Sequence, residues 1–381
     1  MPIFDQGYQH WNGELSGHAW RWLAISRQGI RTGMKNRFLR YVLFASWVPA
    51  LLLVTMLCAW GLLERQSGMV SAFIRLMTFL APRMVADPLH YRVDVWRLSY
   101  GYFLHVELWF SMLLVLLVGP SLISQDLRFN ALPLYFSRPL RRVDYFVGKL
   151  GVIAGFLGMV VLAPSIVAYI FGLLFSLDLS IIRDTFGILL ASIAYGFIIT
   201  ASAGLLVLAL SAMSRNSRYV ALLWLGIWFV SGIVGTALQN ADSTQRRYMY
   251  YREISVTRPD RNDSSLSPQE RVAQMREWRQ ARQRAERKFR VGELEVSKND
   301  WRPLVSYSAN LSRIGQQLLG TNETWKKLSD MQSDPDSRDR LMATYMGPQF
   351  PWRWSAFVLL GLFGLSACIL NGSVKSLDKL K

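Results

Sequence analysis

The chain has 381 residues, is 51% hydrophobic with a mean hydropathy of +0.19, and carries 43 Lys and Arg against 26 Asp and Glu, a net charge of +17. A nucleic-acid binder would also be basic, but here the apolar residues lie in long blocks with the basic residues mostly between them, which points to lipid and away from nucleic acid. The two cysteines, Cys58 and Cys368, both fall inside apolar blocks, which argues against a disulfide framework or a thiolate metal site.

No cleavable signal peptide is legible. The first apolar block begins near Tyr41, after a charged, Trp-rich stretch too long and polar for an n-region, so the N-terminus is expected to be retained. Within segment 1–40, Trp20, Trp22, Leu23, Ile25 and Ile30 alternate with Arg21, Arg27 and Arg31. Tryptophan prefers the headgroup zone and arginine reaches lipid phosphates, so this pattern predicts an amphipathic helix on the inner membrane surface.

A spanning helix needs about 20 mostly apolar residues to cross about 30 Å of hydrocarbon. Six segments qualify: Tyr41–Leu63, Tyr100–Ile123, Lys149–Phe175, Phe186–Met213, Tyr219–Leu238 and Trp354–Asn371. Segment 41–238 therefore holds five spans, with an inner loop at 124–148, and 354–371 holds the sixth. Lys and Arg gather in alternate loops: Arg31, Lys35, Arg37 and Arg40; Arg128, Arg138, Arg141, Arg142 and Lys149; Arg215 and Arg218; and Lys375, Lys379 and Lys381 after the last span. Positive charge is retained on the cytoplasmic side, which predicts both termini and the 372–381 tail to be cytoplasmic. The short loop Ser176–Thr185, with one Arg183 beside Asp178 and Asp184, fits the outside; the first outer loop is basic as well, through Arg65, Arg75, Arg83, Arg92 and Arg97.

Segment 239–353 is polar, Arg-rich and too long for its charge to govern sidedness. Ser267-Pro268-Gln269-Glu270 is a capping box with Pro at the first helical position, ahead of Val272, Met275, Trp278, Ala281, Ala285 and Phe289 at helical spacing. Tyr248–Val256 and Arg290–Val296 read as short strands, and Leu304–Leu319 as a second amphipathic stretch. The expectation is an all-α integral membrane protein, a bundle of six transmembrane helices with an N-terminal interface helix and a small α+β outer domain before the last helix.

Catalytic patterns are missing. Gly148-Lys149 is followed by Leu150, and Val143 stands where a P-loop needs its first Gly. Leu15-Ser16-Gly17-His18 lacks the following glycine and any nucleotide fold around it. His10, His18, His90 and His105 never form H-x-x-x-H, and no G-x-S-x-G elbow occurs. No catalytic, metal or cofactor residue is expected.

The informative stretch runs from Gly119-Pro120 through Asp126-Leu127-Arg128-Phe129-Asn130-Ala131-Leu132-Pro133-Leu134-Tyr135-Phe136-Ser137-Arg138-Pro139 to Gly148-Lys149. A span passes into a charged turn, a short apolar helix, a Pro stop and another span. This closely resembles the inner loop of type 2 ABC transporter permeases, in which an acidic residue closes the second helix, a short coupling helix follows, and Ser-x-Pro precedes the third. The likeness extends to the N-terminal segment, the six spans and the large outer insertion.

The resemblance implies that Asp126 holds the acidic position, that Asn130–Phe136 is the coupling helix and that Ser137, Arg138 and Pro139 form the exit turn. It implies a permease subunit in the cytoplasmic (inner) membrane, working as an exporter with a second copy or paralogue, and two separate cytoplasmic ATPases that bind ATP and Mg. Leu132, Leu134, Tyr135 and Phe136 would then form an apolar knob for the ATPase, with Arg128, Arg138, Arg141 and Arg142 at its rim. Gly148, Gly151, Gly155 and Gly158, and Gly226, Gly232 and Gly235, read chiefly as helix packing. His105 and Glu107 are candidate pathway residues, with an Arg97 pairing as the structural reading of Glu107. Two other classes compete: a membrane-anchored binding or sensory protein acting through 239–353, and an intramembrane enzyme using His105 and Glu107. The outer segment is also a candidate surface for an extracytoplasmic partner.

Overall fold

Six helices have the length and hydropathy a bilayer demands: Arg37–Glu64, Pro88–Arg128, Val143–Phe175, Ser180–Met213, Ser217–Arg252 and Trp352–Gly372. The computed structural model describes residues 20–136, 141–176, 178, 180–252, 267–332, 334–346 and 349–378, and contains no strand among them.

In chain order, α1 (Arg21–Gly33) precedes the first span, α2 (Arg37–Glu64), and α3 (Ser71–Leu80) and α4 (Pro82–Ala86) lead to the second, α5 (Pro88–Val118) continued by α6 (Ser121–Arg128). The short α7 (Leu132–Phe136) comes next. Span three is α8 (Arg142–Leu157), a π segment Gly158–Leu162 and α9 (Ala163–Phe175); span four is α10 (Ser180–Met213). Span five is α11 (Ser217–Leu225), a π segment Gly226–Val230 and α12 (Ser231–Arg252). Then follow α13 (Pro268–Val296), α14 (Tyr307–Leu319), α15 (Thr321–Asp330), α16 (Pro335–Tyr345) and α17 (Trp352–Asp378), which carries span six. The first π segment has a local cause. Pro164 lacks an N–H and its ring crowds the carbonyl one turn back, so the helix widens just before it.

Span four is the most enclosed of the six, and spans five and six are the least. The core fills the space between spans one to four: Tyr100 donates to the Ser165 carbonyl at 2.8 Å, and the Trp96 and Tyr169 rings meet edge to face at 5.6 Å. The bundle has two distinct ends. At the basic end lie α1, α6, α7 and the start of α8; at the other, which carries the insert, α15 packs against α5, and α16 against α13 and α15.

The N-terminal helix forms as the Trp and Arg spacing predicts, and its seat explains the glycines of span three. Ser26 Oγ donates to the Gly148 carbonyl at 2.9 Å, and a Cβ at Gly151 would clash with Ser26 Oγ. Gly148 and Gly155 abut Ile25 and Ile30 in the same way, so this stripe is a packing seat for α1.

The α+β outer domain is not found. α12 continues span five through Tyr248–Arg252, and α13 runs without a break across 290–296, while 253–256 lie outside the described residues. Val291 and Val296 are exposed and, five positions apart, would fall on opposite faces of a strand, so they form no apolar strand face; the helix is held instead by its neighbour, through Arg246 Nη2 to Glu293 Oε1 at 2.7 Å and the Tyr250 and Phe289 rings at 6.0 Å. The Ser267/Glu270 capping box forms as expected, with Ser267 N donating to Glu270 Oε2 at 2.9 Å. These hydrogen bonds hold the Glu270 carboxyl below its ordinary range.

The stretch 304–319 also departs from expectation, because it does not stay with the rest of the insert. α14 packs among α5, α10 and α17. Its first residue, Tyr307, meets Ser202 hydroxyl to hydroxyl at 2.8 Å, past the middle of span four, and its ring lies 5.9 Å from Trp224 in span five. The chain after α13 thus enters the bundle, turns at Ser306, which caps α14 by accepting from Ala309 N, and climbs back to Gly320. Non-helical backbone at this depth is tolerated only where protein or a cavity surrounds it. Both conditions hold here: α5, α10 and α17 pack around α14, and a cavity borders Ser306.

Candidate functional site

Chemistry-bearing residues gather in two places: the loop at the basic end and a pair of cavities inside the bundle.

The loop is built on satisfied backbone. Gly119-Pro120 breaks the second span, and the hydroxyl of Ser211 from span four repairs the break, accepting from the amides of Ile123 and Ser124 at 3.1 and 2.9 Å and donating to the Pro120 carbonyl at 3.0 Å. Ser124 Oγ then reaches Ser217 Oγ at 2.8 Å, tying α6 to span five. Beyond α6 the chain reverses at Asn130, whose φ of +51° is left-handed, a conformation Asn tolerates better than most residues.

Asp126 is the anchor. Its Oδ2 lies 2.6 Å from Lys149 Nζ and accepts from Tyr145 Oη at 2.6 Å. The ammonium sits over two rings, 5.8 Å from the centroid of Tyr135 and 5.4 Å from that of Tyr145. One carboxylate, one ammonium and two phenols thereby join α6, α7 and α8. Burial, then the neighbouring Asp126 carboxylate, pushes the Tyr135 phenol above its usual range. Lys149 is therefore not a loop charge, since the third helix begins earlier than expected and takes it in.

This geometry revises the expected knob. Leu132 is buried and Tyr135 turns inward to Lys149, so neither is free to enter a partner. Leu134 and Phe136 lie in α7, but their side chains are outside the described set, as are residues Ser137, Arg138 and Pro139 altogether. What faces outward is Arg128, Phe129, Asn130 and Pro133, with Arg141 and Val143 beyond. Phe129 is 73% exposed at the loop tip with the Arg128 guanidinium 5.6 Å from its ring centroid, and sequence reading passed over it because it precedes the apolar run.

Replacing Asp126 by Asn strands the Lys149 ammonium between two rings. Both side chains keep some solvent contact, so the expected loss is about 2 kcal/mol, between the values for exposed and fully buried pairs. Adding Lys149→Met should recover most of it, read as thermal unfolding in detergent.

Inside the bundle, two cavities meet. One, of about 420 Å³, lies between α5, α10, α14 and α15. The other, of about 620 Å³, lies between α5, α12 and α14 and is lined by Trp109, Trp228, Thr236, Ser306 and Ser308 among others. His105 and Ser312 line both. The re-entrant turn at Ser306 thus faces a largely apolar space in which the hydroxyls of Thr236, Ser306, Ser308 and Ser312 supply the polar edge.

His105 and Glu107 do not form one site. Two residues apart on a helix they point about 200° away from each other, and Glu107 is fully buried among core side chains with neither carboxyl oxygen hydrogen-bonded. Ser111, one turn on, is equally buried and unpartnered. Glu107 does not meet Arg97, which sits beside Gly320 and, at ten residues' separation, about 15 Å away along the helix.

At the insert end Arg92 makes a two-pronged bond to Glu64, Nε to Oε1 and Nη2 to Oε2, each 2.9 Å, and reaches Ser180 Oγ at 3.2 Å. Ser176 Oγ donates to Glu64 Oε2 at 3.2 Å, and Arg65 Nε to the Ser176 carbonyl at 3.1 Å. The basic character of the first outer loop is largely structural: Arg92 is inside the second helix, Arg65 caps the end of the third, and Arg83 donates to the Met331 carbonyl at 2.6 Å.

Six apolar spans joined through such polar ends define a multi-pass membrane protein. No protein-family model matches the chain, and no curated protein matches it.

Proposed function

We propose that this chain is the membrane-spanning subunit of an ATP-binding-cassette exporter, working with a second permease copy and two separate cytoplasmic ATPases that hold ATP and Mg. The observation that carries the reading is the loop from Asp126 to Val143: a turn with an exposed aromatic tip, fixed by a paired and caged lysine to the start of a spanning helix. A surface loop needs no such fixing, but a lever does. Force applied at Phe129 passes through the Asp126–Lys149 pair into α8 and, through the Gly151 seat, into α1.

Span three then has a joint where motion can be absorbed, the π segment ahead of Pro164, before the Glu64–Arg92 clamp at the far end. ATP binding would draw the two loops together and favour one arrangement of the spans over the other, to the extent that it stabilises that arrangement. The cavities that join at His105 and Ser312 are the route we assign to cargo. In this reading the membrane is the cytoplasmic one, both termini lie inside, and segment 239–353 lies outside.

Sidedness decides it. A Phe129→Cys variant in a background with Cys58 and Cys368 replaced should react with a membrane-impermeant maleimide only in inverted vesicles. Reaction in intact cells would place the loop outside and end the proposal in favour of a protein acting through its insert.

A further inference from the structure

Spans one and two leave a groove on the half of the bundle that carries the insert. Its upper part is a cavity of about 590 Å³ bordered by Trp60, Met56, Met77, Met84 and Met331, with Leu98 at its base. A lower part of about 290 Å³ runs along Leu52, Leu53 and Phe103 to Pro49, and shares Met56, Leu98 and Ser99 with the upper. From Pro49 to Trp60 is eleven residue steps of one helix, or about 16 Å. Half of a bilayer's hydrocarbon core is about 15 Å. The groove therefore has the length of one leaflet and narrows toward the bilayer midplane.

Its upper end is not simply greasy. Trp60 is 1% exposed and its Nε1–H has no acceptor, although a buried indole N–H normally finds one. Arg83 stands exposed at the mouth, with Nη1 engaged by the Met331 carbonyl and the rest of its guanidinium donors available. Asp334 also borders the mouth, but its carboxylate accepts from Ser337 N and Oγ at 3.0 and 2.6 Å. Four methionines supply an unbranched, adaptable wall that suits a flexible chain better than branched residues would. Beside the mouth, α3 exposes Leu76 and Phe79, an apolar approach from the lipid.

We propose that this groove binds a single-chain anionic amphiphile such as a long-chain fatty acid, its chain lying against Met56 and Leu98 toward Pro49 and its carboxylate accepting from Trp60 Nε1 and Arg83. The inference needs no ATPase; Leu98 also borders the cavity of about 420 Å³, whereas Trp60 and Arg83 border the groove and not that cavity, so Trp60→Phe is the variant that reports on the groove.

The test uses the full chain in detergent and palmitate as the probe, followed by native mass spectrometry and competition with a fluorescent fatty acid. Saturable binding of one palmitate is expected. Trp60→Phe keeps the ring and removes the donor, and should weaken binding roughly ten- to a hundredfold, the worth of one hydrogen bond to a charged acceptor. Leu98→Trp, which fills the junction of the two parts, should abolish binding while Trp301→Phe in the insert leaves it unchanged. Hexadecylamine, with the same chain and the opposite charge, should not compete. The proposal is overturned if uptake does not saturate, if the amine competes as well as palmitate, if a two-chain anionic phospholipid displaces the probe where palmitate fails, or if Trp60→Phe and a folded Leu98→Trp bind as the wild type does.

Discussion

If the proposed ATPase docks on this loop, Phe129→Asp should abolish its co-purification, lowering affinity roughly 100-fold, the cost expected when a central aromatic anchor is replaced by a charge. The ring is exposed and touches no core residue, so the variant should unfold at the wild-type temperature. That separation is what makes the result informative. Tyr135→Asp, by contrast, would place a carboxylate beside Lys149 and Asp126 and disturb the loop itself, so a loss of binding there would not distinguish docking from collapse. Arg128→Ala should have a smaller effect, since the guanidinium is at the rim and remains solvated. Pull-down of a tagged ATPase from solubilised membranes, with melting curves on the same preparations, checks all three. Unchanged recovery with Phe129→Asp would remove the loop from the interface.

Much of this architecture was legible because lipid imposes a strong code. The six spans, the N-terminal helix and the Ser267/Glu270 cap each rest on a local pattern, and each is found as a helix or cap, though span three begins at Val143 where the apolar run suggested Lys149. The difference is small in residues and large in meaning, since it moves Lys149 from a loop charge to the partner of Asp126. Pairing across 23 positions leaves no periodic trace in a sequence.

The insert was harder. Leu304–Leu319 has an amphipathic pattern that would serve equally on an outer surface or against a polar cavity within the bundle. Only its neighbours, Ser202, Trp224 and Tyr195, decide between the two, and they lie far away in the chain. The strand expected at 290–296 gives way to helix for a related reason: the run continues a helix started by the Ser267/Glu270 cap and held to α12 by the Arg246–Glu293 pair and the Tyr250–Phe289 contact, partners remote in the chain. The separation of His105 from Glu107 was readable, since two positions on a helix cannot share a face.

The largest loss of stability is expected at the opposite end from the Phe129 loop. Glu64 and Arg92 have side chains that are 0% and 3% exposed, so removing one leaves the other charged, buried and without its main counter-ion. Breaking such a pair costs about 3–5 kcal/mol, well above the figure for the partly solvated Asp126–Lys149 pair. Glu64→Ala should be the worse of the two single variants, because it also frees Ser176 Oγ and leaves Arg92 with only Ser180 and the more distant Asp184, 3.9 Å away. The Glu64→Leu, Arg92→Met double variant carries no stranded charge and should melt within a few degrees of wild type. Its value is that it separates two roles of the clamp. If the pair serves only to hold spans one to four together, the double variant will transport normally. If the clamp is the fixed point against which span three bends at its π segment, the double variant will be stable and still bind the ATPase but will couple hydrolysis poorly, which a comparison of ATPase rate with transport in proteoliposomes measures directly.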